Sequence, residues 1–194
     1  MRYFECSREL TQLKKENEWL RDFLEIKNLN TTFEFADATV IGKGSGAVNG
    51  MLTINKGSLH GIEVGMSVIN AQGLVGRIIE VGLTSSSVMC ITDASASAGA
   101  IIERSALSGI VDGYSNGKCR FLYTTGLSDF DAIAEGDTVI TSGKGSIYPY
   151  GLKIGTVVEV KIDDASRSVI ATVETAVNFN DIDRVMIIKS FTIE

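Results

Sequence analysis

Two segments of the chain repeat one pattern of glycine and apolar residues, and this repeat limits the fold more than any other feature. The first segment, 61–81, reads GIEVGMSVINAQGLVGRIIEV, and the second, 132–160, reads AIAEGDTVITSGKGSIYPYGLKIGTVVEV. In each, Ile precedes Gly by three positions, and Ser or Thr followed by Val-Ile comes after that Gly. A Gly-Leu pair then leads into an apolar run that ends in Glu-Val. Self-similarity at this spacing predicts two copies of one β unit.

The two copies differ by an insertion. Gly65 and its counterpart Gly136 are 71 positions apart, whereas Gly76 and its counterpart Gly155 are 79 positions apart. The second copy therefore carries eight extra residues, which include Pro149, the single proline of the chain. Because glycine permits a positive φ and proline stiffens a turn, we interpret the inserted segment as a long corner between two strands.

Short apolar or alternating runs, separated by Gly, Asn, Asp and Ser, predict strands throughout the chain beyond residue 30. The predicted strands are 36–41, 47–54, 67–70, 75–81, 87–92, 98–102, 109–113, 118–123, 138–141, 154–160, 169–175 and 184–189. About six strands fall to each copy, and closing them into barrels removes exposed edges. The sequence thus predicts a mainly β fold with two small six-stranded antiparallel barrels, over 36–97 and 98–194. It leaves open whether the last strand closes the second barrel or returns to the first.

The first 30 residues predict a different structure, an amphipathic helix. Residues 3–28 contain neither Gly nor Pro, and their apolar side chains recur with a heptad period. A single asparagine, Asn17, occupies a core position, which favours two parallel strands in one register. Opposite charges flank that core. We therefore predict an N-terminal coiled coil over 1–30 that forms a homodimer through Leu10, Leu13, Asn17, Leu20 and Leu24.

The alternative is a single helix packed along its own globular domain, with Trp19 and Phe23 as the contact stripe. Three heptads are marginal alone, so an upstream membrane anchor or a longer coil would help two chains to pair. If they pair in parallel, the two Cys6 residues face each other, and oxidation could link the chains.

Charge argues against one class of partner. The formal net charge is −6, and the first 28 residues are balanced, so the whole excess lies in the β body. An acidic body without a basic stripe is not typical of nucleic-acid binding, which depends on neutralising phosphates. No run of 18 or more apolar residues is present, so no segment of this sequence is predicted to span a membrane.

The chemical motifs are weak. The tetrapeptide GKGS occurs at 42–45 and 143–146, but strands follow it, whereas a phosphate-binding loop precedes a helix. A double barrel suggests a serine protease, yet the only histidine, His60, lies in a predicted turn. Ser142 and Ser146 are the nearest candidates for a nucleophile. A protease-like hydrolase is therefore retained as the alternative function, and no catalytic residue is assigned.

Metal and cofactor sites have little support in the sequence. The close carboxylates at 163–164 and at Asp181 and Asp183 lack His or Cys ligands at suitable spacing, so we interpret them as solvated turns. We predict no metal, no cofactor and no enzymatic activity. The lack of a reactive constellation favours a binding or scaffolding protein.

Several motifs resemble those of the rod shape-determining protein MreC family. They include the helix end ENEWLRDFL and the segment INKGSLHGIEVGMSVINAQGLVGRIIEVGLTSSSVMCITD. SGIVDGY and EGDTVITSGKGSIYPYGLKIGTVVEV follow later in the chain. The matching positions are Asn55-Lys56-Gly57, Gly65-Met66, Gly73-Leu74-Val75-Gly76, Gly136-Asp137, Thr141-Ser142-Gly143, Tyr148-Pro149 and Gly151-Leu152. The resemblance extends over nearly the whole chain.

The resemblance implies a bacterial, single-pass membrane protein whose extracytoplasmic part this chain represents, with the cytoplasmic tail and membrane helix upstream. It implies two barrels arranged as in chymotrypsin-like proteases but without a catalytic triad. The implied function is a scaffold of the cell-elongation machinery that maintains rod shape by organising peptidoglycan synthesis. The implied partners are a second copy of the chain, MreD, actin-like MreB, penicillin-binding proteins and the RodA polymerase. The resemblance also implies that dimers assemble further into filaments.

Overall fold

The structure is a computed structural model of the chain. It describes residues 13–14, 17, 19–21, 24, 33–44, 50–114, 117–124, 133–145, 147–163 and 168–190. All seven described residues between 13 and 24 are helical. The rest of the described structure is built from twelve β-strands and a 3-10 turn at Ser58–His60.

Twelve strands form two closed antiparallel barrels of six strands each. The first barrel contains β1 (Glu34–Lys43), β2 (Met51–Ile54), β3 (Ser67–Asn70), β4 (Gly73–Val81), β5 (Ser86–Cys90) and β12 (Arg184–Ser190). The second contains β6 (Ser97–Ile102), β7 (Ser108–Gly113), β8 (Lys118–Thr124), β9 (Thr138–Ser142), β10 (Tyr150–Asp163) and β11 (Ser168–Thr175). The predicted mainly β fold with two six-stranded barrels is confirmed, and the largest extension beyond a predicted strand is that of β10. The coiled coil stays a prediction.

The last strand belongs to the first barrel. β12 pairs with β1, where Phe35 lies opposite Ile188, and with β3, where Ile69 lies opposite Met186. It occupies the place that β6 takes in the second barrel, where β6 pairs with β7 and β9. The first barrel is therefore built from both ends of the β body, and the second is contiguous in sequence.

The sequence repeat is also a repeat of backbone geometry. Gly65 and Gly136 have positive φ angles of 94° and 90°. The Gly65 N–H donates to the carbonyl of Ile78, and the Gly136 N–H donates to the carbonyl of Val157, both at 2.8 Å. Since L-residues with side chains rarely adopt such φ angles, both copies need glycine at this turn.

The second pair of matched glycines lies where strands cross closely. A Cβ atom on Gly76 would meet the Met89 carbonyl oxygen at 1.9 Å, and one on Gly155 would meet the Glu174 carbonyl oxygen at 2.0 Å. Both distances are far below van der Waals contact, so a side chain at either position would push the neighbouring strand away. The repeated glycines thus allow β4 and β10 to bend tightly inside their barrels.

The eight-residue insertion lies between β9 and β10 of the second barrel and contacts the first barrel. Tyr148 is buried within a large apolar cluster, and Thr141 uses its hydroxyl to bond the carbonyl of Pro149. From the first barrel, the buried hydroxyl of Ser67 donates to the Ile147 carbonyl at 3.1 Å. The inserted segment is therefore a structural corner, as the sequence suggests, and it also forms part of the contact between the barrels.

The barrels share a continuous apolar core. On the first barrel, Met186, Ile69 and Leu74 lie opposite one another on three adjacent strands. All three belong to the same buried cluster as second-barrel residues such as Phe121 and Ile154. Successive residues of a strand face opposite sides, so this row, which lies outside the cluster in the barrel's interior, covers the outer wall of the first barrel. A separate cluster fills that barrel's interior.

Gly73 marks a close backbone contact between the barrels. Its φ is 155°, and a Cβ atom here would lie 2.3 Å from the Lys153 carbonyl oxygen of β10. We expect Gly73→Ala to lower the free energy of unfolding by about 1–3 kcal/mol, because the two backbones must separate to admit the methyl group. Chemical denaturation followed by circular dichroism measures this change.

Gly42→Ala is the matched control. A Cβ atom at Gly42 would lie 3.4 Å from the Cβ atom of Thr53, an ordinary contact. If Gly42→Ala destabilised the protein as much as Gly73→Ala, the close approach of the barrels would not be the cause.

Candidate functional site

The predicted dimer stripe is exposed where the structure describes it. Leu13, Leu20 and Leu24 have 63%, 46% and 55% of their surface accessible, and Asn17 is also exposed. Leu10 lies outside the described residues. Three large apolar side chains on one side of a helix favour a partner surface, since isolated helices gain most of their stability from burying such a face.

A different face of the helix contacts the body. The guanidinium of Arg184, the first residue of β12, lies over the ring of Trp19 at 4.8 Å from its centroid. Trp19 is partly buried and packs against the apolar cluster that the barrels share. The alternative prediction of a Trp19 contact with the body therefore agrees with the structure, while Phe23 lies outside the described side chains. One face of the helix is used by the body, and the leucine stripe is left accessible.

His60 ends the 3-10 turn that follows β2. Its Nδ1 accepts a hydrogen bond from the Gly57 N–H at 3.2 Å, and its side chain is exposed. Gly57 itself is buried beneath the turn that follows β4, and a Cβ atom on Gly57 would meet the Gly82 carbonyl oxygen at 2.3 Å. Nδ1 thus accepts a hydrogen bond within its own turn, whereas the Nδ1–H of a catalytic-triad histidine donates to a carboxylate.

The serines singled out by the sequence do not form a catalytic group with His60. The Ser142 hydroxyl accepts a hydrogen bond from the Lys144 N–H at 3.2 Å, and it lies against Gly99 of β6. Ser146 falls outside the described residues. Within the described residues, no hydrogen bond joins Ser142 to His60. A serine nucleophile needs its base within hydrogen-bond reach, and this pair lacks that contact.

Three buried groups titrate far from neutrality. Burial raises the pKa of Cys90, of Cys119 and of Tyr148 to about 12 in each case. The Cys119 thiol donates to the Ile91 carbonyl at 3.4 Å, in the linker between the barrels. Because the thiolate is the reactive form, both thiols are inert at neutral pH and act as small apolar side chains.

The outer wall of the second barrel carries an apolar strip. Ile110 on β7 lies opposite Leu122 on β8, and Leu122 lies opposite Ile170 on β11. Ile110 is exposed, and the other two are half-buried. Side chains paired in this way across adjacent strands form a continuous surface, which is a candidate contact for another protein.

A second exposed apolar pair lies on the first barrel. The Leu59 N–H donates to the Leu83 carbonyl at 3.2 Å, which brings the two turns together, and both leucine side chains are more than 70% exposed. Leu59 precedes His60 in the same turn. The surface around the lone histidine is therefore apolar and accessible, a character suited to contact with another protein more than to acid–base chemistry.

An ion pair fixes the loop after β6. The Arg104 guanidinium binds the Asp137 carboxylate through two hydrogen bonds of 2.7 and 2.8 Å. Asp137 also accepts the Ala134 N–H at 2.8 Å and is buried. The hydrogen bond and charge of Arg104 hold the pKa of this carboxyl below its usual range, although burial acts in the opposite direction. Asp137 follows Gly136, so the pair stabilises the turn that the repeat identifies.

The Asp137 interaction predicts a pH dependence of stability. A carboxyl whose pKa is lowered by folding stabilises the protein above its unfolded pKa of about 3.9, and the contribution is lost as pH falls through the folded-state pKa. We expect Asp137→Asn to lower the free energy of unfolding at pH 7 by about 1–3 kcal/mol, because it removes a charge-assisted bidentate contact.

The difference between Asp137→Asn and the unchanged protein should begin to shrink below about pH 3.9, where the unfolded carboxyl becomes protonated, and should be lost below the lower folded-state pKa. Urea unfolding at a series of pH values measures it. Asp37→Asn, at an exposed position of β1, is the control and should have little effect at any pH. An equal effect of Asp137→Asn at pH 7 and in strong acid would contradict the assignment.

The described residues offer a polar cleft but no metal-binding cluster. That part of the chain contains no group of three or more His, Cys, Asp or Glu side chains able to hold a metal ion. It also contains no helix long and apolar enough to cross a membrane. A polar cleft beside the junction of the barrels is lined by Gln72, Lys153, Thr156, Glu174, Thr175 and Ala176.

Sequence reasoning missed the outer strip of Ile110, Leu122 and Ile170. Periodicity shows that alternate residues of a strand share a face, but it does not show which strands become neighbours. The pairing of β8 with β11 joins residues 48 positions apart, and only the barrel topology brings them together. The sequence shows that all three residues are apolar, but it does not predict that they lie next to one another.

Comparison with known proteins identifies the family. The family model described as "Rod shape-determining protein MreC, barrel core" matches residues 40–189. The cell shape-determining protein MreC of Listeria monocytogenes is 28% identical over 184 residues, which cover 93% of this chain and 62% of that protein. The chain thus spans less than two thirds of the length of this relative.

Solved structures agree with the barrel architecture. MreC from Pseudomonas aeruginosa superimposes with a TM-score of 0.72 at 29% identity, over 80% of this chain and 99% of that one. A chain from the complex between penicillin-binding protein PBP2 and MreC of Helicobacter pylori gives a TM-score of 0.63. At 13% identity, over 81% of this chain and 99% of that one, it supports the fold alone. With its barrel core matched over residues 40–189, the chain belongs to the rod shape-determining protein MreC family.

Proposed function

We propose that this chain is a non-catalytic scaffold of the bacterial cell-elongation machinery, acting on the outer side of the cytoplasmic membrane. It maintains rod shape by organising the enzymes that synthesise peptidoglycan. The observation that carries the proposal is the family match over 40–189, which includes most of both barrels. The exposed apolar surfaces and the engagement of His60 by its own turn are consistent with a role in binding.

Penicillin-binding proteins are the partners with most support. The relative from Helicobacter pylori forms a complex with PBP2. We extend this class of partner to the present chain because the two share the double-barrel fold. MreD, actin-like MreB and the RodA polymerase complete the proposed assembly. A membrane segment preceding the coiled coil would hold the barrels near the membrane surface.

The helix supplies the geometric part of the mechanism. Two parallel helices that pair through Leu13, Asn17, Leu20 and Leu24, with Leu10 completing the stripe, would hold two β bodies side by side. The contact of Trp19 with Arg184 restrains the body relative to its helix. A scaffold built this way presents partner surfaces at a set height above the membrane.

The dimer is tested by placing charge in the stripe. We expect the double substitution Leu13→Asp and Leu20→Asp to convert the dimer into a monomer, because two buried carboxylates per chain cannot be accommodated in a helix seam. Both barrels should remain folded. Analytical ultracentrifugation measures the mass, and circular dichroism measures the β content.

The matched control is Thr11→Asp with Gln12→Asp, which adds the same two charges at heptad positions outside the seam. This variant should remain a dimer. If Leu13→Asp with Leu20→Asp leaves the oligomeric state unchanged, the stripe does not form the dimer interface.

The scaffold function is tested by crosslinking in growing cells. A photoreactive amino acid is placed at exposed positions such as Ile110 and Leu59 of the full-length protein, and the captured proteins are identified by mass spectrometry. We expect a penicillin-binding protein of the elongation machinery at one or more positions on the barrels. Capture of no wall-synthesis protein from any position would oppose the proposal.

His60→Ala separates a scaffold from a hydrolase. A scaffold should keep its fold, its binding to a purified penicillin-binding protein and its ability to restore rod shape, because the substitution removes only one exposed hydrogen bond. A hydrolase would lose turnover of a casein or peptide substrate, since His60 is the only histidine of the chain. Measurable hydrolysis that disappears in the His60→Ala variant would overturn the scaffold assignment.

A further inference from the structure

The polar cleft beside the junction of the barrels takes its lining from both of them. Gln72 belongs to the turn between β3 and β4 of the first barrel. Lys153 and Thr156 lie on β10 of the second barrel, and Glu174 and Thr175 lie on β11. The cleft has a volume of about 370 Å³. Clefts of about 300–1,000 Å³ that carry a few well-placed polar groups are typical sites for small molecules.

Contacts between the two barrels and between paired strands hold the walls of this cleft in place. Gly73, the neighbour of Gln72, lies directly against the backbone carbonyl of Lys153. On the other wall, Glu174 lies opposite Thr156 in the antiparallel pair of β10 and β11. The polar groups are therefore carried by regular strands and a tight turn, so their positions are set before any ligand binds.

Two charges of opposite sign line the cleft without neutralising each other. Lys153 and Glu174 are both exposed, and neither has an ion-pair partner among the described residues. Lys118 lies opposite Glu174 on β8, yet no ion pair joins them. A ligand that carries both a carboxylate and an ammonium group would match this arrangement, because charge-assisted hydrogen bonds could form at both of its ends.

The neighbouring polar groups have the hydrogen-bonding direction that such a ligand needs. The Gln72 side-chain oxygen accepts the Asn178 N–H at 3.3 Å, which leaves the amide NH₂ as a donor. The Thr175 hydroxyl donates to the carbonyls of Gly117 at 3.0 Å and Val177 at 3.2 Å, which leaves its lone pairs as acceptors. The cleft thus offers a donor near the lysine and an acceptor next to the glutamate.

We propose that this cleft binds a short peptide with free ends. The carboxylate of the peptide accepts hydrogen bonds from Lys153 and from the Gln72 amide. Its ammonium group donates to Glu174 and to the Thr175 oxygen. A dipeptide matches the cleft better than a single amino acid, because the Thr156 hydroxyl, which can donate and accept, finds a partner in the peptide amide.

The proposal is tested by titrating L-alanyl-L-alanine into the ¹⁵N-labelled chain and following its backbone amides by NMR. We expect the amides of Thr156 and Thr175 to shift, with a dissociation constant on the order of 1 mM, because the site is small and open to water. Blocking either end of the ligand should weaken binding at least about tenfold, because one charge-assisted contact is lost. N-acetyl-L-alanyl-L-alanine lacks the ammonium group, and L-alanyl-L-alaninamide lacks the carboxylate.

Two variants assign the ends of the ligand. Lys153→Met should weaken binding of the free dipeptide but leave binding of the alaninamide derivative unchanged, because that derivative has no carboxylate to lose. Glu174→Gln should weaken binding of the free dipeptide but leave binding of the N-acetyl derivative unchanged. Each combination of a variant and a blocked ligand is a thermodynamic cycle that isolates one contact.

Lys161→Met, towards the other end of β10, and Glu63→Gln, on the first barrel, are the matched controls. Both side chains are exposed and lie outside the cleft lining, so these variants should bind the dipeptide like the parent. Circular dichroism checks that all four variants are folded. The proposal is overturned if the dipeptide shifts no cleft amide at concentrations up to about 20 mM, well above the expected constant. It is also overturned if both blocked derivatives bind the parent as tightly as the free dipeptide.

Discussion

The contact between the two barrels determines the rest of the structure. Met186, Ile69 and Leu74 cover the outer wall of the first barrel and enter the core of the second. A barrel of six short strands encloses little apolar volume, so sharing a core increases the surface that each one buries. Gly73 permits this approach because it has no side chain to separate the backbones. The two barrels therefore share one core and form a single body, which is what the proposed scaffold requires.

Because the two barrels form one body, the exposed apolar surfaces keep fixed positions relative to one another. The helix contacts the body through Trp19, and its leucine stripe remains accessible. The strip at Ile110 lies on the second barrel, whereas Leu59 lies on the first. Since these surfaces are carried by one body, a partner bound to one of them is held in a defined position relative to the others. Spatial organisation of this kind needs no chemical step and no titrating group near neutral pH.

Much of the fold could be predicted from the sequence, because glycine positions and the alternation of apolar and polar residues depend on local backbone geometry. The matched pair Gly65 and Gly136 identified the repeated turn, and strand periodicity located all twelve strands to within a few residues. The length of β10 was underestimated, since Gly151 and Lys153 at its start and Lys161 and Asp163 at its end interrupt the apolar run. The place of the last strand could not be predicted, because a six-stranded barrel of either copy has the same alternating pattern. The outer strip at Ile110 depends on long-range pairing, which no local signal encodes.

The path of the last strand has a consequence for the order of folding. The six strands of the second barrel occupy one uninterrupted stretch, 97–175, so that barrel can close as soon as this stretch is free to fold. β1 and β3 must wait for β12, which is synthesised after all six strands of the second barrel. The first barrel thus stays an open sheet with two unpaired edges while the second barrel is already closed. The barrels therefore close in the reverse of their order of synthesis, and the core that they share is completed only when β12 joins the first barrel.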